Sequence, residues 1–261
     1  MSLIIPEKWQ LWLSAEHLVS FESWWSLSLE AVDESNVGRG GWSTVYKFSH
    51  KGKQFYVKRQ ANHLSRSVGG FFRLVPTFEL EFKQICRYQQ HDIPCIDPVF
   101  FGTRKEKGQF QAILVTEALE GWLALDEVLI AYKDHKPVNN KILKFKDRMQ
   151  LCDALAIAVR KLHEAGIEHY NLYPKHIFVR VSECGFEVRF IDLETSRFNF
   201  GFLSKKLRDI ETLSRRVKWV SKTDRLRFIL SYFAKASSDF EVRRAIKKIQ
   251  VRNDRKKKNK P

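Results

Sequence analysis

Apolar residues recur at gaps of three and four from Phe145 to Leu162. Phe145, Met149, Cys152, Leu155, Val159 and Leu162 fall on one face, and Gly166 closes the run. That period predicts a long amphipathic helix. Elsewhere the period is two: Phe186, Val188 and Phe190 alternate with Glu187 and Arg189, which predicts a strand running toward Asp192. Val45 to Phe48 and Phe55 to Lys58 form two extended runs, and the polar SHKGKQ between them reads as a hairpin turn. A helix is expected from Phe78, stopped by Pro94. Gln111 to Leu119 reads as a buried strand entering a connector near Gly121, and the last sixty residues read as helical and increasingly basic. Residues 1–36 set Trp9, Trp12, Trp24 and Trp25 among acids, which suggests a short amphipathic lead-in packed on the body. No internal repeat appears.

Composition narrows the class. With 261 residues and 44% apolar content the chain can bury a substantial core, as one large domain or as two lobes. No apolar run of eighteen residues is present, so no membrane span is expected. The first residues carry Glu and Trp inside their short apolar stretch, unlike a signal peptide. Cys86, Cys95, Cys152 and Cys184 lie far apart without CxxC spacing, which fits a reducing cytoplasm and gives no zinc pattern.

Charge adds a possible partner. The formal net charge is +16, and residues 243–261 hold ten Lys or Arg against Asp254 alone. Such a tail favours phospholipid, lipid-linked phosphate or nucleic acid, although a solvated tail would read the same way. No base-stacking or groove-reading motif accompanies the charge, so nucleic acid ranks last.

Several residues stand in an order suited to phosphoryl transfer, which needs a backbone cradle, a cation, a metal-holding carboxylate and a group to position the acceptor hydroxyl. Gly38, Gly40 and Gly41 lie in G-R-G-G-W-S between extended segments. There a missing Cβ lets backbone amides approach phosphate, and Ser43 stands where a third glycine is usual. Alone, such a turn more often merely turns. Lys58 follows on the second strand of the hairpin, at the position of the phosphate-contacting strand lysine. Glu81, with Glu79 as its competitor, could hold Lys58 by an ion pair; two residues apart on a helix, only one can serve. Asp192 ends a strand as a metal-holding acid does, and Glu194 adds a second carboxylate. IEHYNLYPKHIFV, residues 167–179, has the layout of a kinase catalytic loop. It carries Asn171 where the acid belongs and His176 where a metal-binding Asn belongs, twenty-one residues of chain separating Asn171 from Asp192.

These segments together resemble the lipopolysaccharide kinase (Kdo/WaaP-like) family, and its InaA-type branch in particular. The carriers are RGGWSTV at 39–45, YVKRQ at 56–60, ELEFKQI at 79–85, DIPC at 92–95, ILVTEAL at 113–119, HYNLYPKHIFV at 169–179 and FIDLETSR at 190–197. The resemblance implies an α+β, bilobal protein-kinase-like fold with a nucleotide cleft between its lobes. The small β-rich N-lobe would span 37–119 and the larger helical C-lobe 120–261. Residues 1–36 would be a lead-in on the N-lobe, and a basic tail would run from about 243. It implies ATP and Mg²⁺ as cofactors, with Glu117 and Leu119 joining the glycine turn, Lys58 and Glu81 around the nucleotide. Asn171 joins Lys58 and Asp192 in the catalytic set, and Asp192, His176 and Glu194 form the metal set. It further implies a lipid-linked sugar acceptor of the lipopolysaccharide core, reached from the cytoplasm at the inner membrane, with the basic C-terminus on anionic lipid.

Asn171 is the departure that matters. An amide cannot take the acceptor proton near neutral pH, and general-base help is worth about 10²–10⁴-fold in rate. Phosphoryl transfer asks mainly for positioning and charge neutralisation, so the expectation is a slowed kinase, with a nucleotide-binding pseudokinase as the alternative.

Overall fold

The computed structural model describes residues 1–38, 40–66, 74–198, 203–218 and 220–258, except for the side chains at 203–205 and 253–258. Arg39 of the glycine-rich turn and residues 259–261 of the basic C-terminus lie outside the described residues. The chain divides into two units, Met1–Arg87 with Ile96–Glu120, and Tyr88–Cys95 with Gly121–Pro261.

The first unit is organised by a sheet ordered β1-β8-β9-β5-β4-β2, with β3 also pairing β4. Its strands are β1 (Ser2–Ile4), β2 (Glu30–Ala31), β3 (Asn36–Gly38), β4 (Gly41–His50), β5 (Lys53–Ala61), β8 (Pro98–Glu106) and β9 (Gln109–Glu117), and a short β6–β7 pair (Leu64–Arg66, Leu74–Pro76) precedes α3 (Thr77–Gln90). The expected β4–β5 hairpin turns on Lys51 and Gly52, both with positive φ (48° and 75°). That is the two-residue geometry whose twist matches its flanking strands.

Alternation along β5 sends Phe55 and Val57 to one face and Lys58 and Gln60 to the other. The first face forms a core with Trp9 and Leu13 of α1 (Glu7–Ala15), Phe21 and Trp24 of α2 (Phe21–Trp25), Val99, Phe100, Ile113 and Val115. The tryptophans of the first 36 residues therefore supply core volume. Trp24 is fully buried, and its indole N–H donates to the Leu18 carbonyl at 2.7 Å.

α3 ends at Gln90, earlier than Pro94 predicts. Asp92 takes a left-handed conformation (φ 49°) and the Ile93 N–H reaches back to the Tyr88 carbonyl at 2.8 Å, so a left-handed cap stops the helix before proline can.

The second unit holds α4 (Leu125–Lys133), α5 (Phe145–Glu164), α6 (Leu203–Arg216), α7 (Lys222–Phe233) and α8 (Phe240–Lys258), with a small sheet of β10 (Leu123–Ala124), β12 (Ile177–Ser182) and β13 (Gly185–Phe190). β11 (Ile167–Glu168) pairs β14 (Arg197–Phe198). α5 is the predicted long helix, and Gly166 with φ 71° follows its end. Its buried face runs through Leu151, Leu155, Ala158, Val159 and Leu162, while Phe145 is 62% exposed. The predicted stripe thus starts too early. At the first helical position Phe145 meets Arg148, whose guanidinium lies 5.1 Å from its ring, rather than the core. α8 buries Val242, Ala245 and Ile249, at spacings of three and four, so the basic C-terminal segment is anchored by a helix with an apolar stripe.

Candidate active site

Within the first unit, Lys58 and Glu81 meet. Lys58 Nζ donates to Glu81 Oε1 at 2.6 Å, and the two side chains are 18% and 3% exposed. Glu79 faces away and takes Lys83 on the surface at 2.6 Å, which resolves the competition between the two acids. The pairing depends on Gln60, on the same face of β5 as Lys58. Its Oε1 accepts the Thr77 hydroxyl (2.9 Å) and the Phe78 N–H (2.8 Å), holding the first turn of α3 against the strand. Its own amide donates to the His63 carbonyl at 2.6 Å. Nothing in the sequence singled out Gln60; the signal was its period-two relation to Lys58.

The three glycines differ in what they require. Gly40 is left-handed (φ 81°) and a Cβ there would meet nothing within 4 Å, leaving open backbone at the turn. A Cβ on Gly41 would lie 2.1 Å from the Ala61 carbonyl, so Gly41 is demanded by sheet packing. Gly38 has neither constraint, and Ser43 pairs in register with Asn36 and Gln60. Glu117 closes β9. Its carboxylate accepts from Lys8 Nζ at 3.0 Å and its N–H donates to the Asp97 carbonyl, while Leu119 is half-buried.

Within the second unit the predicted loop is laced to its own surroundings. The Asn171 carbonyl accepts the Tyr173 N–H (2.7 Å) and His176 Nδ1 (2.9 Å). Bonding to a carbonyl requires a proton on Nδ1, and the same nitrogen lies 3.3 Å from Asp192 Oδ2. His176 thus faces Asp192 with a donor, which leaves only Nε2 capable of ligation. The Ile191 N–H donates to the His176 carbonyl and His169 Nε2 bonds the Ile191 carbonyl, each at 3.0 Å. Asp192 itself is left-handed (φ 58°, ψ 56°), and its side chain keeps 42% of its surface open. Glu194 lies in the following 3₁₀ turn, half-buried, whereas Glu168 is 3% exposed and unsuited to serve as a base.

Asp209 is the residue that sequence reasoning missed. Wholly buried on α6, it accepts the backbone N–H of His169 (2.7 Å) and of Tyr170 (2.9 Å), and lies 3.3 Å from His163 Nε2. Those bonds hold Tyr170 in a left-handed conformation (φ 70°) beneath the Arg197 guanidinium, 3.9 Å from its ring. The available signal was an Asp set between Leu207 and Ile210 on an apolar helix face. Burial also lowers the His169 pKa, keeping that ring neutral against the loop.

The model of the lipopolysaccharide kinase (Kdo/WaaP) family matches residues 22–232. The chain belongs to that family. It is 32% identical over 179 residues to protein InaA of Escherichia coli (strain K12), covering 68% of this chain and 78% of that protein. A solved structure described as WaaP in complex with acyl carrier protein superposes with a TM-score of 0.70 at 20% identity, covering 98% of each chain. The fold is the expected α+β, kinase-like one. Family membership supports a kinase-type phosphotransferase of lipopolysaccharide biosynthesis and implies dependence on ATP and a metal ion.

The residues present fit those groups. Among the described residues no cluster of three His, Cys, Asp or Glu could hold a metal ion by itself. A half-open Asp192 is what magnesium needs, since that ion keeps several waters and binds through one or two carboxylates plus substrate phosphates.

Proposed function

We propose that this protein is an ATP-dependent phosphotransferase whose acceptor is a lipid-linked sugar of the lipopolysaccharide core at the inner face of the bacterial inner membrane. The observation that carries the reading is the Lys58–Glu81 pair, 2.6 Å long, with the acid buried and the lysine half-buried. Lys58 stands on the strand paired with the one that follows the glycine-rich turn, and burying the Glu81 carboxylate there costs desolvation that the lysine offsets. In this reading Lys58 contacts the phosphates while Glu81 fixes its rotamer. The turn of Gly38, Gly40, Gly41 and Ser43 offers backbone amides, chiefly around the open Gly40. Glu117 and Leu119 border the nucleotide.

Asp192 would hold magnesium, with Glu194 in reserve, and the ion when bound would neutralise charge on the phosphates. His176 orients Asp192 through its Nδ1 proton and steadies Asn171 through the same proton. Asn171 would accept a hydrogen bond from the acceptor hydroxyl without removing its proton. α8 would bring its basic end to anionic lipid, where each Lys or Arg contributes about 1 kcal/mol.

The test is magnesium-dependent ATP turnover with lipopolysaccharide-core acceptors, abolished by Lys58→Ala and by Asp192→Ala. Wild-type turnover equal to that of both variants rejects the reading. Asn171 favours a second one, a nucleotide-binding pseudokinase. ATP would then raise the melting temperature without turnover, and Asn171→Asp would restore activity.

A further inference from the structure

Phe145 opens α5 on the apolar period of that helix yet is 62% exposed, and Ile142, three residues before it, is 58% exposed. Three residues of chain keep their Cα atoms within about 11 Å of each other. The connector that carries them, between α4 and α5, is tied down. Asn139 and Asn140 both take positive φ (47° and 63°), and Val138 and Lys141 exchange backbone hydrogen bonds of 2.8 and 3.0 Å across them, which closes a two-residue turn. The Asn139 side-chain amide donates to the Gly121 carbonyl at 2.7 Å, and its oxygen accepts the Val181 N–H at 3.2 Å. Val138 and Leu143 are buried on either side of the turn. Pinned in this way, the segment leaves Ile142 and Phe145 no route to the core without breaking those bonds.

The charge around the two side chains has one sign. Residues 139–146 read NNKILKFK, with Lys141, Lys144 and Lys146 exposed and no acid. The next acid, Asp147, is turned inward, where it accepts Lys141 Nζ at 2.5 Å and the Lys144 N–H at 2.8 Å. Upstream, Asp134 stands 3.8 Å from Lys133 and 3.9 Å from Lys136, so cations outnumber acids there too. The Arg148 guanidinium, which faces Asp224 at 3.3 Å, lies 5.1 Å from the Phe145 ring centroid and 5.3 Å from that of Tyr132. It joins the two rings into one patch.

We propose that the α4–α5 connector docks on an anionic phospholipid bilayer, with Ile142 and Phe145 inserted below the headgroups and Lys144 and Lys146 among them. This deepens the membrane part of the reading above and rests on it for the anionic bilayer, but its residues lie outside α8 and the basic tail. Two apolar side chains within eight residues offer far less than the roughly 800 Å² per partner that a stable protein interface buries. A bilayer sets no such requirement. Each inserted apolar side chain and each lysine near the surface contributes separately, and the long lysine stems let their charges stay at headgroup level while the apolar tips go deeper. Neutral lipid would leave the lysines unmatched.

Flotation of the full-length protein with vesicles tests this, using phosphatidylcholine alone and phosphatidylcholine mixed with phosphatidylglycerol. Ile142→Ser combined with Phe145→Ser should lower retention on the mixed vesicles by about tenfold or more at an unchanged melting temperature. Lys144→Glu combined with Lys146→Glu should lower it as far, whereas Phe145→Trp should keep it. In Phe145→Trp, lipids brominated on their upper acyl carbons should quench fluorescence more than they do in wild type. Full retention in the double Ser variant, equal retention on the two vesicle types, or quenching no greater than wild type overturns the proposal. Should the double Ser variant fold poorly, the lysine variant and the quenching decide. Deleting residues 252–261 separates the connector from the tail, and loss of retention is expected in both the deletion and the double Ser variant. Loss in the deletion alone keeps the tail's role and overturns the connector's, while loss in the double Ser variant alone does the reverse. Wild-type protein that stays off both vesicle types also overturns the proposal, and the phosphotransferase reading is then judged by turnover alone.

Discussion

Gln60 Oε1 accepts the Phe78 N–H at 2.8 Å, so a strand side chain caps the helix that carries Glu81. Lys58 lies two residues away on the same face of β5, and Glu81 lies one turn beyond Phe78. The cap therefore sets the distance between lysine and acid. Gln60→Ala strands a buried N–H and a hydroxyl, at a cost of about 1–3 kcal/mol. Chemical denaturation should show that loss, and ATP titration a weakened affinity. Stability and affinity both equal to wild type would detach the cap from the site.

Asp209→Ala removes the acceptor of two backbone N–H groups and the partner of a buried histidine whose Nδ1 lies 2.8 Å from the Tyr232 hydroxyl. Breaking such a network costs about 3–5 kcal/mol. Asp209→Asn should cost less, because one amide oxygen can still accept. Hydrogen exchange at the His169 and Tyr170 amides reads the effect locally, and protection unchanged in Asp209→Ala would refute the anchoring role.

His169 makes stability depend on pH. Burial in the folded state lowers its pKa, so below about pH 6.5 the unfolded chain takes up the proton first. The contribution is complete above that value and is lost as pH falls through the window beneath it. His169→Phe should flatten the stability profile between about pH 7.5 and about pH 5.5 relative to wild type. A parallel profile in the variant would assign the slope to other groups.

Deleting residues 252–261 removes cations while leaving Val242, Ala245 and Ile249 to seat α8. Retention on phosphatidylglycerol vesicles should fall sharply, and wild-type retention should weaken with added salt. Vesicle binding that survives the deletion rejects the membrane role of this segment.

Much of this was legible in the pattern of residues. The β4–β5 hairpin, the strand toward Asp192 and the long α5 follow from short-range periodicity, which sequence records directly. The residue types of the candidate site were equally readable, because Lys58, Glu81, Asn171, His176 and Asp192 fall in a recognisable order. The choice of Glu81 over Glu79 was not readable. It depends on the rotation of α3 against β5, which Gln60 and Thr77 fix from outside the helix.

The same logic explains where the pattern misled. Phe145 fits the apolar period of α5 but begins the helix before the core does. Sequence determined which elements form and which reactive groups the chain carries, because propensity and periodicity are local. Tertiary structure alone decided which acid holds the lysine and that Asp209 anchors the loop. Those are contacts between segments remote in sequence, set by packing.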